Sequence, residues 1–494
     1  MIMRMSHKYL MLIAACLLPL VARGQRMTLD EAIRRARNQS VAALEARHEF
    51  VSTYWAYRSY KASKLPALYL YGNIMNYDRS IANLQSFEDG SWKYVSTDNL
   101  QNSIGLQVRQ NVTFTGGTLT MYSDLNRIDQ FGQEKSLTWY SQPLTVSYTQ
   151  PLFAYNSFKW ADKIEPKEYE RGKRKYLESM EQLTINTVKA YYNLLLAQSS
   201  SEIARSNYEN TARMYAIARE RLSIGSVTRD ECLQLELKML NDSISINESE
   251  VSVREAQMAL NSLLGADESL DVEPVLGDAL PDLMLDYEDV IMLSGANSTF
   301  ALGNEINLLG AESDVARAKA DRGISMTLSA RFGLSQTAPE FSGVYRSPLD
   351  QEVVGLTFSV PIFDWGLGKG KVQKAKAAED VVRAQIEQSE NDHRRTIFTA
   401  VGQFNNQGRQ CAVSKRAKNI AAERYALMME KFRRGNASVT DLNNAQSESN
   451  SAARQYVTDV SNYWIYYYTL RQYTLYDFIA GENLEIDINE MVEQ

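Results

Sequence analysis

The side chains best suited to nucleophilic, acid–base or metal chemistry are scarce in this sequence and badly spaced. There are three histidines, His7, His48 and His393. None has the partner three or four residues away that would put two metal ligands on one helix face, and no HExxH, nucleophile elbow or P-loop occurs. Cys16, Cys232 and Cys411 are too far apart for a metal-ligand set or a disulfide framework. Cys232 and Cys411 fall in helical stretches, where a small packed side chain is expected. The run Gly366-Leu-Gly368-Lys-Gly370-Lys lacks the closing GK[ST] of a phosphate cradle and follows a strand-to-helix proline, so it reads as a joint between two elements. Carboxylates are plentiful on the predicted helices, where charges usually solvate a face, and no two form an acid/base couple. The expectation is a protein with no catalytic residues, no cofactor and no metal site: not an enzyme.

The informative residues are those that shape the chain. Gln150-Pro151-Leu152-Phe153 recurs as Val360-Pro361-Ile362-Phe363, and Ile224-Gly225-Ser226 as Arg434-Gly435-Asn436, both at an offset of 210 residues. Two anchors with one spacing indicate an internal duplication. A weaker match relates Leu29-Asp30-Glu31-Ala32-Ile33 to Tyr287-Glu288-Asp289-Val290-Ile291 at an offset of 258, so the first copy carries extra residues within about 72–138. In each copy a helix comes first. The first opens at the capping-box pattern Thr28-Leu-Asp-Glu31 and runs toward Pro66.

Strands follow the first helix. Residues 324–334 alternate Ile324, Met326, Leu328, Ala330, Phe332 and Leu334 against polar or small neighbours, and 354–360, 144–149 and 104–109 do the same. A soluble sandwich would also alternate. Tyr69, Tyr71, Trp139, Tyr140 and Tyr148 near strand ends favour a lipid-facing barrel. After Pro151 and Pro361 the pattern turns helical. Residues from about Phe158 to Leu222 meet no breaker but Gly172, and at 1.5 Å per residue they form a rod of roughly 100 Å. The return helix, about Asp230 to Leu264, places Leu237, Ile244, Val251 and Met258 seven residues apart beside Leu233 and Leu240, a coiled-coil seam. The second copy repeats the hairpin over Gly370 to Arg433 and Thr440 to about Tyr476.

Composition agrees with export. Arg4 and Lys8, the apolar run Tyr9 to Val21 and Ala22-Arg23-Gly24 before Gln25 form a secretory signal, predicting a mature start at Gln25. An alternative takes Ile13-Ala14-Ala15-Cys16 as a lipoprotein box, but Leu17 to Val21 would leave an apolar mature end. A permanent membrane helix there is too short, since about 20 apolar residues are needed. The formal charge of −7, with no basic stripe, excludes nucleic acid as a partner. Tyrosines outnumber phenylalanines 28 to 15, suiting rings with one wet end.

Thr28-Leu-Asp-Glu-Ala-Ile33, Gln150-Pro-Leu-Phe153, Ala190-Tyr-Tyr-Asn-Leu194, Gly225-Ser-Val-Thr228, Val360-Pro-Ile-Phe-Asp364 and Gly435 through Leu442 together resemble the TolC-type outer-membrane efflux family, in its order and over nearly all of the chain. The resemblance implies an α-helix-dominated fold with transmembrane β-strands, two internal repeats and a homotrimer sharing one β-barrel and one long coiled-coil periplasmic α-barrel. It implies a bacterial outer-membrane location reaching into the periplasm. The function implied is a passive exit duct for a tripartite efflux pump or type I secretion system, its partners a periplasmic adaptor protein, through it an inner-membrane pump, and outer-membrane lipid. The division expected is a signal peptide over 1–24, then repeat 1 over 25–280 with strands about 67–149 and a hairpin about 154–265. Repeat 2 follows over 281–494, with strands about 324–360, a hairpin about 370–476 and a C-terminal segment.

The family usually supplies four strands per subunit, whereas strands near 67–74, 104–113, 117–126 and 138–149 all fall in the first copy here. Either the barrel is larger or an extra hairpin with a Gly116-Gly117 turn projects outside the cell, and the hairpin is preferred. The resemblance assigns adaptor docking to the hairpin turns, Ile224, Gly225, Ser226, Val227 and Thr228 in copy one and Arg434, Gly435, Asn436, Ala437 and Ser438 in copy two. Asp441 matches the first acidic position of the channel entrance and Asn444 replaces the second, which halves the carboxylate ring. Asp441 also suits a plain helix-capping role. A different class, a cell-surface adhesive coiled coil, explains the heptads but not the duplicated strand pairs.

Overall fold

A computed structural model describes residues 25–85, 90–131, 135–267, 269–277, 280–434, 436–488 and 491. The expected signal peptide, Cys16 and Gly435 lie outside the described residues. The chain divides into two compact units, one of residues 51–172 and 299–391 and one of residues 1–50, 173–298 and 392–494.

The first unit holds one sheet of six antiparallel strands. These are β2 (Ala67–Gln85), β3 (Trp92–Val112), β4 (Gly117–Gln130), β5 (Ser136–Leu152), β7 (Ser325–Ala338) and β8 (Leu349–Ser359), in the order β2-β3-β4-β5-β7-β8. The pairing register aligns the period-two pattern across strands. Leu68, Val108, Met121, Val146 and Phe332 form one cross-strand row, and Tyr69, Gln107, Tyr122, Thr145 and Gly333 form the next. Adjacent rows point to opposite faces, so one face is apolar and the other polar or small.

The extra hairpin is not an appendage. β3 pairs with β4 from Asn99↔Gln130 to Val112↔Gly117, so both are full members of the sheet. Only the stretch from Arg79↔Asp98 to Gln85↔Trp92 runs past the neighbouring strand. The turn at Thr113–Gly116, where Gly116 has φ +79°, sits at the helix end of the sheet, because Asn156 Nδ2 donates to Thr113 O at 3.0 Å and Gln110 Nε2 to Lys64 O at 2.7 Å. The preferred reading of a hairpin projecting from that turn is therefore corrected. Residue spacing shows that a hairpin exists, but not which end of the sheet its turn occupies.

The second unit is helical, apart from short strand pairs. β1 (Gln25–Met27) pairs in parallel with β6 (Val272–Pro274), and β9 (Tyr476–Asp477) pairs antiparallel with β10 (Glu482–Asn483). The single first helix expected up to Pro66 is in fact two, α1 (Leu29–Gln39) and α2 (Val41–Ser63), broken at Ser40. The second copy breaks likewise at Ser298, between α5 (Tyr287–Asn297) and α6 (Thr299–Arg322). Both serines are buried and extended, and the Ser40 hydroxyl accepts Ala43 N at 3.0 Å to start the new helix. They lie 258 residues apart, the offset already seen between the first helices.

The long helices are α3 (Ser157–Ser223), α4 (Arg229–Leu264), α7 (Leu367–Arg433) and α8 (Val439–Thr474). Pro166 lies inside α3, a breaker the residue pattern passed over. A continuous core of Tyr191, Leu194, Leu260, Phe404, Tyr463 and Tyr467 fills the helical unit. Tyr191 ties the β1–β6 pair to that core: its hydroxyl lies 2.9 Å from Met27 O and 2.8 Å from Val275 O, and accepts Val275 N at 2.8 Å. Glu181, fully buried, sits 3.3 Å from both Arg37 Nη1 and Arg471 Nε. Burial pushes its carboxyl above the ordinary range, with the two guanidiniums pulling the other way. At the end of α4, Gly265 takes φ +61°, and a Cβ there would meet Gln39 O at 2.3 Å, so only glycine lets the two helix ends touch.

Candidate functional site

The two hairpin turns are built alike. In the first, Gly225 N donates to Leu222 O at 3.1 Å and Ser226 N to Arg221 O at 2.9 Å, with Gly225 at φ +76°. Thr228 then caps α4 through a capping box, its hydroxyl accepting Glu231 N at 3.2 Å while Glu231 Oε2 accepts Thr228 N at 2.9 Å. In the second turn Asn436 N donates to Lys431 O at 2.9 Å, and Ser438 caps α8. Its hydroxyl accepts Asp441 N at 3.1 Å and donates to Asp441 Oδ2 at 2.7 Å. Thr228 and Glu231 match Ser438 and Asp441 at the 210-residue offset. These contacts hold the exposed Asp441 carboxyl below its ordinary range, with the Ser438 hydroxyl as the main cause. Asn444 is exposed one turn further along the same helix.

The structure brings both turns together. Arg221 Nη2 donates to Arg433 O at 2.8 Å, and Met214, Ala218, Leu235, Phe432, Val439 and Leu442 pack beneath them. Ile224, Ser226, Val227, Arg434 and Ala437 line a common cavity of about 360 Å³. Ile224 is 75% exposed, and Arg434 pairs with Glu430. Arg221 and Phe432 were not singled out from the sequence, because an arginine and a phenylalanine in a long amphipathic helix carry no signal of which end they join. Cys232 and Cys411 are both buried, and burial pushes the Cys411 thiol up to about 11.

Along α4 the heptad residues are not in this chain's core. Leu233, Leu237, Leu240, Ile244, Val251 and Met258 are between 47% and 61% exposed, while the intervening Cys232, Leu235, Ala256 and Leu260 are buried. The helix thus has one face committed within the chain and a second apolar face left open. No described helix is long and apolar enough to cross a membrane.

The outer membrane efflux protein family model matches residues 111–266 and 302–474, about two thirds of the chain. The chain belongs to that family. It is an outer-membrane protein, and the family and its solved relatives are channels rather than enzymes. Among curated proteins it is similar to the alkaline protease secretion protein AprF of Pseudomonas aeruginosa, 27% identical over 234 residues that cover 45% of this chain and 46% of that protein. The matched stretch is thus about half the length of that relative. Among solved structures the outer membrane protein VceC of Vibrio cholerae has a TM-score of 0.62 at 14% identity, covering 92% of this chain and 97% of that one. The CmeC outer membrane channel of Campylobacter jejuni has a TM-score of 0.64 at 14% identity, covering 94% and 89%. Both share the helix-dominated fold with its sheet.

Proposed function

We propose that three copies of this outer membrane efflux protein close into one duct, with a shared β-barrel and a shared helical barrel, through which solutes delivered by a tripartite pump or type I secretion system leave passively. The observation that carries the reading is the pair of unfinished surfaces. Among the described residues β2 and β8 are open edges of the sheet, which lipid cannot tolerate, and α4 presents an apolar heptad face that no described residue of its own chain buries. Neighbouring copies supply both partners at once, the α4 face meeting a helix as the edge of β8 meets β2. The barrel then takes six strands from each copy and is larger than four strands per copy would give.

The remaining assignments follow from this frame. The turns at Ile224, Gly225, Ser226, Val227 and Thr228 and at Arg434, Gly435, Asn436, Ala437 and Ser438 dock a periplasmic adaptor, with glycine serving the turn and its neighbours the recognition. Asp441, with Asn444 beside it, contributes one carboxylate per copy to the channel entrance. No catalytic step belongs to the duct. Single-channel recording of the purified oligomer in a planar bilayer tests the reading: conductance with a cation preference that weakens in Asp441→Ala supports it. If variants that open the turns also conduct nothing, the duct is refuted.

A further inference from the structure

Where the six strands hand over to helices, the chain gathers exposed rings and cations. Phe114 in the β3–β4 turn, Ile362 and Trp365 before α7 are 92%, 96% and 89% exposed, and the Phe363 and Trp365 rings meet edge to face at 4.4 Å. Phe153 and Trp365, 73% and 89% exposed, adopt φ of +62° and +54°, a conformation that bulky residues avoid. On the adjoining helix turns, cations sit over rings: Lys61 Nζ is 4.7 Å from the Tyr57 ring centre, Lys163 Nζ 4.6 Å from Trp160 and the Arg317 guanidinium 4.7 Å from Tyr155.

The local charge runs against that of the whole molecule. Residues 364–376 hold four lysines to one aspartate, and residues 58–64 hold Arg58, Lys61 and Lys64, of which Lys64 pairs with Asp162, in a chain of net charge −7. Lys61, Lys163, Lys369 and Lys371 are exposed and make no ion pair among the described residues. The backbone amides of Gly366 and Gly368 at the start of α7 are already taken by the Asp364 carboxylate, at 2.9 and 2.7 Å, so any anion met there falls to the lysine side chains.

We infer that this collar is a docking surface for anionic phospholipid headgroups, with the rings in the interfacial layer and Lys61, Lys163, Lys369 and Lys371 pairing with headgroup phosphates. It rests on the apolar face of the sheet meeting lipid. Two observations select this occupant. The apolar alternation of β8, Val354, Leu356 and Phe358, runs on past the strand through Val360 to Ile362, so the collar continues the lipid-facing surface to where headgroups begin. Exposed aromatics beside lysines also match the composition of a membrane–water interface, and the net positive charge complements an anionic leaflet. A second copy would bring the same lysines and repel.

The test uses the full-length oligomer in phosphatidylcholine vesicles, probed with spin-labelled phosphatidylglycerol and spin-labelled phosphatidylcholine. The wild type should retain the anionic probe at least about threefold more strongly, and 1 M salt should erase the preference. Replacing Lys61, Lys163, Lys369 and Lys371 by glutamine should abolish it, whereas replacing them by arginine should preserve it. A part of the tryptophan quenching by brominated phosphatidylglycerol that is present in the wild type and lost in Trp365→Phe would place that ring at the lipid. Equal retention of both probes by the wild type, or an unchanged preference in the glutamine variant, overturns the proposal while leaving the duct intact. Failure of the wild type to enter vesicles at all would overturn the membrane reading of the sheet as well.

Discussion

Shaving the open face of α4 should break the oligomer without unfolding the subunit. Leu237 and Leu240 are 61% and 55% exposed in the single chain. A fully buried leucine contributes about 1.5–3 kcal/mol, so covering the exposed half of each on assembly contributes about 1–1.5 kcal/mol. Leu237→Ala with Leu240→Ala therefore removes about 2–3 kcal/mol per seam, a roughly 30- to 150-fold weakening at each. Within the chain the same double change falls outside both buried clusters, and its cost there stays near the ±0.5 kcal/mol of an ordinary surface substitution. Leu235, 1% exposed and packed beneath the turns, is the control, because Leu235→Ala should cost the subunit itself about 2–5 kcal/mol. The assay is the temperature at which the detergent-extracted oligomer dissociates in SDS, read beside far-UV circular dichroism. The double variant should dissociate several degrees lower with unaltered helicity. An unchanged dissociation temperature, or a loss of helicity like that of Leu235→Ala, would refute the assignment of this face to a neighbouring copy.

Tyr191→Phe should lower the thermal midpoint of the subunit by the equivalent of about 1–3 kcal/mol, because it strands buried backbone groups at Met27 and Val275. Burial pushes that phenol up to about 12. Its contribution is therefore complete below pH 10 and lost as pH rises toward 12, and a melt series over that window should show a smaller loss in the phenylalanine variant than in the wild type, the remainder belonging to Tyr463 and the other phenols that burial pushes up. Asp441, held below the ordinary carboxylate range, should keep its charge as pH falls through that range. The Asp441-dependent part of the cation preference should then fade only at lower pH, and Ser438→Ala should move that fading upward, as reversal potentials would show. Cys411, buried with its thiol pushed up, should resist maleimide at neutral pH until the protein is unfolded, and mass spectrometry of the labelled peptide reads this out directly.

Much of the molecule was legible because its rules are local. Period-two runs such as 324–334 and 354–360 mark the start of β7 and the end of β8 within one residue, though β7 runs on to Ala338 and β8 begins already at Leu349, and the unbroken stretch from Phe158 marks α3, since alternation and helical continuity are written residue by residue. Duplication was legible for the same reason, and the structure extends it to the serine breaks at Ser40 and Ser298. Those breaks were missed, since a serine inside a helical pattern is unremarkable until its burial shows that the chain turns there. The hairpin turns were readable as turns from Gly225 and Gly435, but their meeting through Arg221 and Phe432 was not.

By itself, then, the sequence determined the order of strands and rods, the two-fold repeat and the apolar stripe on α4. Only the tertiary structure decided that the extra hairpin joins the sheet, that its Gly116 turn lies at the helix end, that Asp441 closes a capping box with Ser438, and that the α4 stripe faces outward. The division has one cause. A side chain's periodicity fixes which neighbours on its own element share its face, whereas what covers that face depends on elements hundreds of residues away, and their register is set by packing that no local pattern encodes.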